Sequence, residues 1–236
     1  MICIHGWACQ GGQFADLIRL LAADVRCYCI DLPGHGQTPL DDFEPGFERY
    51  AALIADFARD QKLDRPILLG HSMGGILSLL AAPSDRLHPR AIINLDGCLP
   101  PAADAIGGLR MIRSWFKEPD FRKRLEALLR KVFFHPSERD ARCEAILQTM
   151  CSAPEAVLRF LPEQIDELKS ETVLARITCP VLYIGGAEPL FDARQAAAGR
   201  AHFRVETIPE AGHFLQVYAP DRAAGLIRAF LSDLLP

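Results

Sequence analysis

The stretch Ile67-Leu68-Leu69-Gly70-His71-Ser72-Met73-Gly74-Gly75-Ile76-Leu77 decides the reading of this chain. An apolar run with the look of a buried strand meets Gly-x-Ser-x-Gly, and a helix-like apolar pattern follows at once. That is the strand, sharp turn and helix order of a nucleophile elbow. Such a turn strains the backbone of its central residue, so the positions two residues to either side must lack a Cβ. Gly70 and Gly74 meet that demand, and Gly75 lets the helix pack close to the strand. Ser72 is thereby expected at the carboxyl edge of a sheet, its hydroxyl beside the positive end of a helix.

Outward from this segment, short apolar runs alternate with helical patterns. Strands are expected near Met1–His5, Val25–Ile30, Pro66–Gly70, Ala91–Leu95, Val181–Ile184 and Phe203–Ile208. Helical spacing fills Phe14–Ala23, Phe47–Gln61, Met73–Ala82, Asp192–Arg200 and Pro220–Leu234. Alternation of this kind predicts an α/β fold, a mostly parallel sheet of about six strands with helices on both faces. Ligands of such sheets bind outside the carboxyl ends of the strands. The alternation breaks between Cys98 and about Thr172. Here Pro100-Pro101 opens a stretch of helical patterns around Leu109–Phe116, Asp120–Phe134, Ser137–Met150 and Ala153–Leu161. The reading is an α/β core over 1–98 and 173–236, with a helical cap over 99–172.

The 236 residues are 50% hydrophobic and 24% charged, an ordinary globular balance, and the formal net charge is -4. That charge gives no electrostatic case for nucleic acid. No run approaches the ~18 apolar residues of a membrane span. Met1-Ile2-Cys3-Ile4 leads into His5-Gly6 without a basic leader, so a cytoplasmic protein is expected. The eight cysteines show no metal-ligand spacing, and Cys3, Cys27, Cys29 and Cys179 lie in or beside apolar runs, as reduced core thiols do. Cys9 and Cys98 could flank the site and react with alkylating agents.

A serine hydroxyl needs a base to take its proton. Among seven histidines, His213 stands out, in Pro209-Glu210-Ala211-Gly212-His213-Phe214 just after the last expected strand. The base in turn needs an acid. Glu188 follows Ile184-Gly185-Gly186-Ala187, Asp96 ends Ile92-Ile93-Asn94-Leu95, and Asp192 reads better as a helix N-cap. Both Glu188 and Asp96 preserve the order nucleophile, acid, histidine. Glu188 is preferred. Donors for a developing oxyanion are expected from the backbone N–H groups of Met73 and Trp7, with His5 bracing the loop and His71 the elbow.

These segments together resemble the α/β-hydrolase superfamily over nearly the whole chain. The matching elements are His5-Gly6-Trp7, Asp31-Leu32-Pro33-Gly34-His35-Gly36, Gly70-His71-Ser72-Met73-Gly74-Gly75, Gly185-Gly186-Ala187-Glu188 and Gly212-His213-Phe214. By that resemblance Asp31–Gly36 is a structural turn. The usual acid position after the penultimate strand carries Asp, where Glu188 stands here, and some relatives take the acid from the earlier strand instead. A serine at the elbow separates this chain from epoxide hydrolases, haloalkane dehalogenases and dienelactone hydrolases. Carboxylesterases, thioesterases, carbon–carbon bond hydrolases and pimeloyl-carrier-protein methyl esterases remain.

The resemblance implies hydrolysis of small to medium acyl esters through an acyl-enzyme, without cofactor or metal, by a monomer or homodimer. Cleavage of vinylogous diketones, a slow-turnover small-ligand receptor and a cofactor-free dioxygenase are the alternatives. Cap residues would choose the substrate: Leu109, Met111, Ile112, Trp115, Phe116, Phe133 and Phe134 are candidates for an apolar lining, with Phe214 beside the base, while core packing within the cap accounts for most of them equally well. Phe121-Arg122-Lys123-Arg124-Leu125 and Arg130-Lys131 form one basic helix, either a solvated face or a surface for an acidic carrier protein.

Overall fold

The computed structural model describes residues 1–84, 87–97 and 99–234. Strands β1 (Ile2–Ile4), β2 (Tyr28–Ile30), β3 (Ile67–His71), β4 (Ala91–Leu95), β5 (Val181–Gly185) and β6 (Phe203–Thr207) form one sheet in the order β2-β1-β3-β4-β5-β6. Every pairing is parallel. The alternating side chains of these strands are apolar on both faces, as a doubly covered sheet requires. Ile2, Leu68, Ile92, Val181 and Tyr183 join one core, while Cys3, Leu69, Ile93, Leu182 and Ile184 join the other.

Helices α1 (Ala15–Leu21), α2 (Phe47–Asp60) and α3 (Met73–Ala81) connect the first strands. Between β4 and β5 the chain runs through α4 (Ala103–Trp115), α5 (Phe121–Phe133), α6 (Ala141–Ser152), α7 (Glu155–Gln164) and α8 (Ser170–Leu174). Helices α9 (Ala193–Ala197), α10 (Leu215–Tyr218) and α11 (Pro220–Ser232) complete the chain. Leu17 and Leu21 of α1 pack with Ile227 and Phe230 of α11 on one face of the sheet. Tyr50, Ile54 and Ala58 of α2 pack with α3 and the β4–β5 helices on the other.

The strand order fixes where a site can lie. The chain steps from β1 outward to β2, then returns past β1 to β3 and proceeds in the opposite direction. A crevice therefore opens at the carboxyl ends of β1 and β3, where the connections diverge to opposite sides. His5-Gly6-Trp7 leaves β1 there and Ser72 leaves β3.

The fold expected from the alternating pattern is the one found, with several shortened elements. β2 begins only at Tyr28, because the Asp24 and Val25 amides turn back onto the Leu21 carbonyl at the end of α1. The helix expected from Phe14 is a 3₁₀ turn over Gly11–Phe14 followed by α1. Helix α9 covers only Ala193–Ala197. Asp192 caps it by accepting the Gln195 N–H at 2.9 Å, and Gly199 at φ +71° lies just past its end. The pattern over Ser137–Met150 divides into a 3₁₀ turn at Pro136–Glu138 and α6, whose N-cap Asp140 accepts the Arg142 and Cys143 N–H groups.

Candidate active site

Ser72 stands between β3 and α3 at φ 53°, ψ −120°, a conformation that an L residue adopts only when its surroundings impose it. Two close approaches impose it here. A Cβ at Gly70 would collide with the Gly74 carbonyl, and a Cβ at Gly74 would collide with the Ile4 carbonyl of β1. The Ser72 N–H donates to the Leu95 carbonyl at 3.0 Å, tying the turn to the end of β4. The serine is thus held by β1, β3 and β4 together.

His213 follows β6 and is 4% exposed. Its Nδ1–H donates to Asp96 Oδ2 at 2.7 Å, and the other Asp96 oxygen accepts the Tyr183 hydroxyl at 2.6 Å. Asp96 is fully buried at the end of β4, at φ 43°, with its N–H on the Ile184 carbonyl at 2.8 Å. With Nδ1 donating, the ring's Nε2 carries the free lone pair. His213 and Ser72 line the same cavity, of about 360 Å³. Among the described residues the Ser72 hydroxyl has no hydrogen-bond partner.

Two backbone donors adjoin the serine. Trp7 and Met73 both line this cavity, and among the described residues neither of their amides has an acceptor. The Trp7 indole is buried and donates to the Val157 carbonyl of α7 at 2.8 Å, which leaves the backbone amide unengaged by its own side chain. Ala8, at φ 55°, donates its N–H to His35 Nε2 at 3.3 Å, while His35 Nδ1 donates to the Pro33 carbonyl. His5 Nε2 accepts the Leu32 N–H at 3.1 Å and its Nδ1 donates to the Gly6 carbonyl. Burial pushes His5 down to about 4 and His35 to about 3, so both rings are neutral cross-braces of the Trp7 loop. Asp31 accepts the Gly11 and Gln37 N–H groups and serves as a turn residue.

The sequence profile of the alpha/beta hydrolase family matches residues 1–227. The chain belongs to that family. It is 27% identical over 246 residues to the pimeloyl-[acyl-carrier protein] methyl ester esterase of Neisseria meningitidis, covering 98% of this chain and 93% of that protein. Among solved structures it is similar to a thermophilic esterase from Thermogutta terrifontis (TM-score 0.83, 22% identity, 99% and 89% of the two chains). It is also similar to the enol-lactonase of Burkholderia xenovorans (TM-score 0.83, 16% identity, 98% and 90%).

In this alpha/beta hydrolase the carboxylate on His213 belongs to Asp96, and the preference for Glu188 is corrected. Glu188 lies beyond β5, exposed at the cavity rim. The Ala187 N–H pairs with the Ala211 carbonyl at 2.8 Å, so the β5 loop meets the histidine loop backbone to backbone. Of the expected lining residues, Leu109, Ile112, Phe133 and Phe214 face the cavity. Trp115 and Phe116 do not. Phe116 is buried against Phe121 and beneath the Arg159 guanidinium, and Trp115 packs on the core. Leu128, Leu129, Leu161 and Ile165, which the sequence reading missed, complete an apolar wall. Their helical spacing marked them as buried without saying against what.

The cysteines take different positions. Cys9 lines the cavity but is buried, which raises its thiol to about 12 and removes the reactivity expected of it. Cys98 lies outside the described residues. Cys3 stands opposite Cys29 across β1 and β2, and its neighbours Cys27 and Cys29 together with burial push its thiol well above the ordinary value. Among the described residues no three His, Cys, Asp or Glu side chains converge as a metal site would. No helix among them is long and apolar enough to cross a membrane. The basic helix α5 has several of its charges matched within the chain: Arg124 pairs with Asp120, and Arg130 with Glu126 and Glu144.

Proposed function

We propose that this protein is a serine carboxylesterase acting on small to medium acyl esters, with the helices over 99–172 as its cap. The observation that carries the reading is the pairing of His213 Nδ1 with buried Asp96 while His213 and the strained Ser72 line one cavity. In this reading His213 Nε2 takes the Ser72 Oγ proton as Oγ attacks the ester carbonyl. The oxyanion forms between the Trp7 and Met73 amides, each such donor being worth typically about 10²–10³ in rate. Collapse expels the alkoxide, which takes the proton from His213. Water, deprotonated by the same ring, then hydrolyses the acyl-enzyme and restores the serine. Asp96 stays ionised throughout, orienting the ring and stabilising the imidazolium.

The cavity wall supports an apolar acyl group, since Ile112, Leu128, Leu129, Leu161 and Ile165 give it surface to cover. Each CH₂ so buried contributes about 0.8 kcal/mol. The Neisseria relative is named for a carrier-protein-linked methyl ester. The internal ion pairs of α5 leave that helix a weaker docking surface than its sequence suggests, so a free ester is the favoured substrate.

A fluorophosphonate with mass mapping, beside p-nitrophenyl esters of increasing acyl length and one carrier-linked methyl ester, tests the assignment. Labelling confined to Ser72, with turnover lost in Ser72→Ala, is expected. Labelling at another residue, or turnover retained by Ser72→Ala, would overturn it.

A further inference from the structure

One buried carboxylate takes no part in the reaction outlined above. Glu138, 4% exposed, ends the 3₁₀ turn that follows α5. Its Oε1 accepts the Gly212 N–H at 2.8 Å, and its Oε2 accepts the His135 N–H at 2.9 Å. Beside it, the His213 N–H donates to the Phe133 carbonyl at 2.9 Å, and the Phe133 and His213 rings lie 4.5 Å apart between centroids. Two consecutive amides of the histidine loop are therefore held by the segment that ends α5.

Burying a carboxylate is costly unless its oxygens are satisfied. Among the described residues Glu138 has no cationic partner, and both oxygens are spent on main-chain N–H groups, the stronger, charge-assisted kind of hydrogen bond. The approach is close enough to dictate the neighbouring residue. A Cβ at Gly212 would collide with Glu138 Oε2 and crowd the Phe133 carbonyl. Gly212 is required here by space, because its φ lies outside the left-handed region.

We propose that Glu138 is a positioning residue for His213, fastening the loop that carries the base to the helices that roof the cavity. The proposal rests on the assignment of His213 as the base. Asp96 fixes the imidazole through Nδ1, and Glu138 and Phe133 fix the backbone on which that imidazole is carried. The end of α5 cannot lift from the cavity without breaking the Gly212 and His213 hydrogen bonds. Closure of the roof and placement of the base are thus one arrangement.

The test compares Glu138→Ala and Glu138→Gln with the wild-type chain, by steady-state kinetics on its best p-nitrophenyl ester and by amide hydrogen exchange. Glu138→Ala is expected to lower kcat about tenfold to a hundredfold, the scale of a slightly misplaced base, while KM stays within about twofold. Exchange should quicken at Gly212 and His213 while the central strands keep their protection. Glu138→Gln keeps one acceptor for the Gly212 N–H but sets its amide NH₂ against the His135 N–H, so a kcat between the alanine variant and wild type is expected. If the alanine chain fails to fold, exchange at Gly212 and His213 in the glutamine variant decides, faster exchange supporting the proposal and wild-type exchange overturning it. Wild-type kcat in both variants, or unchanged exchange at Gly212 and His213, would overturn the proposal. If the wild-type chain turns over no ester, the esterase reading falls. Exchange at Gly212 and His213 then decides the anchoring by itself, faster exchange supporting it and unchanged exchange sinking it.

Discussion

The loops after β4 and β5 leave the sheet side by side, each carries a carboxylate, and only one carboxylate reaches His213. Asp96 is the first residue past β4. Its left-handed backbone turns the side chain inward, where both oxygens find donors. Glu188 comes three residues past the end of β5, after a backbone pairing with Ala211 has already tied the loop down, and its side chain is left at the rim. Chain order allows either residue, so order is a poor guide. What separates them is whether the backbone delivers the carboxylate into a buried position with a second hydrogen-bond donor.

Neutral substitutions at the two positions break this comparison most directly. Asp96→Asn keeps the shape and removes the charge that holds the imidazole's tautomer, a change that costs about 10⁴ in kcat in a serine, histidine and aspartate arrangement. Glu188→Gln is expected to stay within about threefold, because a rim carboxylate is screened by solvent. Ester kinetics on both purified variants, each shown to be folded, provide the check. A larger loss at Glu188 would reverse the assignment.

The same pair of loops marks how far the sequence could be read. Ser72, Gly70 and Gly74 were legible because a strained turn allows few residue types, and His213 because one histidine follows the last strand. The sheet was legible because strands buried on both faces are continuous apolar runs. Which carboxylate pairs with His213 was not legible, because a one-residue difference in where a strand ends decides whether a side chain points in or out. Trp115 and Phe116 were misread for a related reason: large apolar residues on a helix announce burial without naming the neighbour. Glu138 left no signal in the sequence. A glutamate after His-Pro-Ser reads as solvated until the fold brings Gly212 beside it.

A second contrast lies among the buried histidines. His213 has a carboxylate on its ring, whereas His5, His35 and His71 bond only to backbone groups. Burial holds these three below the usual value near 6.5: His5 at about 4, His35 at about 3, and His71 well below it with the neighbouring His213 adding to the effect. Between pH 6.5 and 4 the unfolded chain binds protons that the folded chain refuses. Stability is therefore complete above about 6.5 and falls on acidification, by roughly 3 kcal/mol for His5 alone. Melting temperatures measured from pH 8 to pH 4 should decline steadily below 6.5, and the decline should be shallower in His35→Asn. A melting temperature that rises on acidification would contradict the neutral, cross-bracing role of these rings.

A more modest loss than that of Asp96→Asn tests why the β4 position works. Tyr183, on β5, donates its hydroxyl to the Asp96 oxygen that His213 does not use. A bond of this charge-assisted kind contributes about 1.5–3 kcal/mol when both partners are buried. Tyr183→Phe removes the donor without changing the ring, leaving Asp96 free to rotate and His213 less firmly oriented. A fall in kcat/KM of about tenfold is expected, with the fold intact, since 1.4 kcal/mol corresponds to one decade. If Asp96 needs only His213, the phenylalanine variant will match wild type, and burial alone would then explain the choice between the two loops. If it falls as expected, the neighbouring strand supplies part of the acid's geometry, and the β5 segment that carries Glu188 acts on the site through Tyr183 instead.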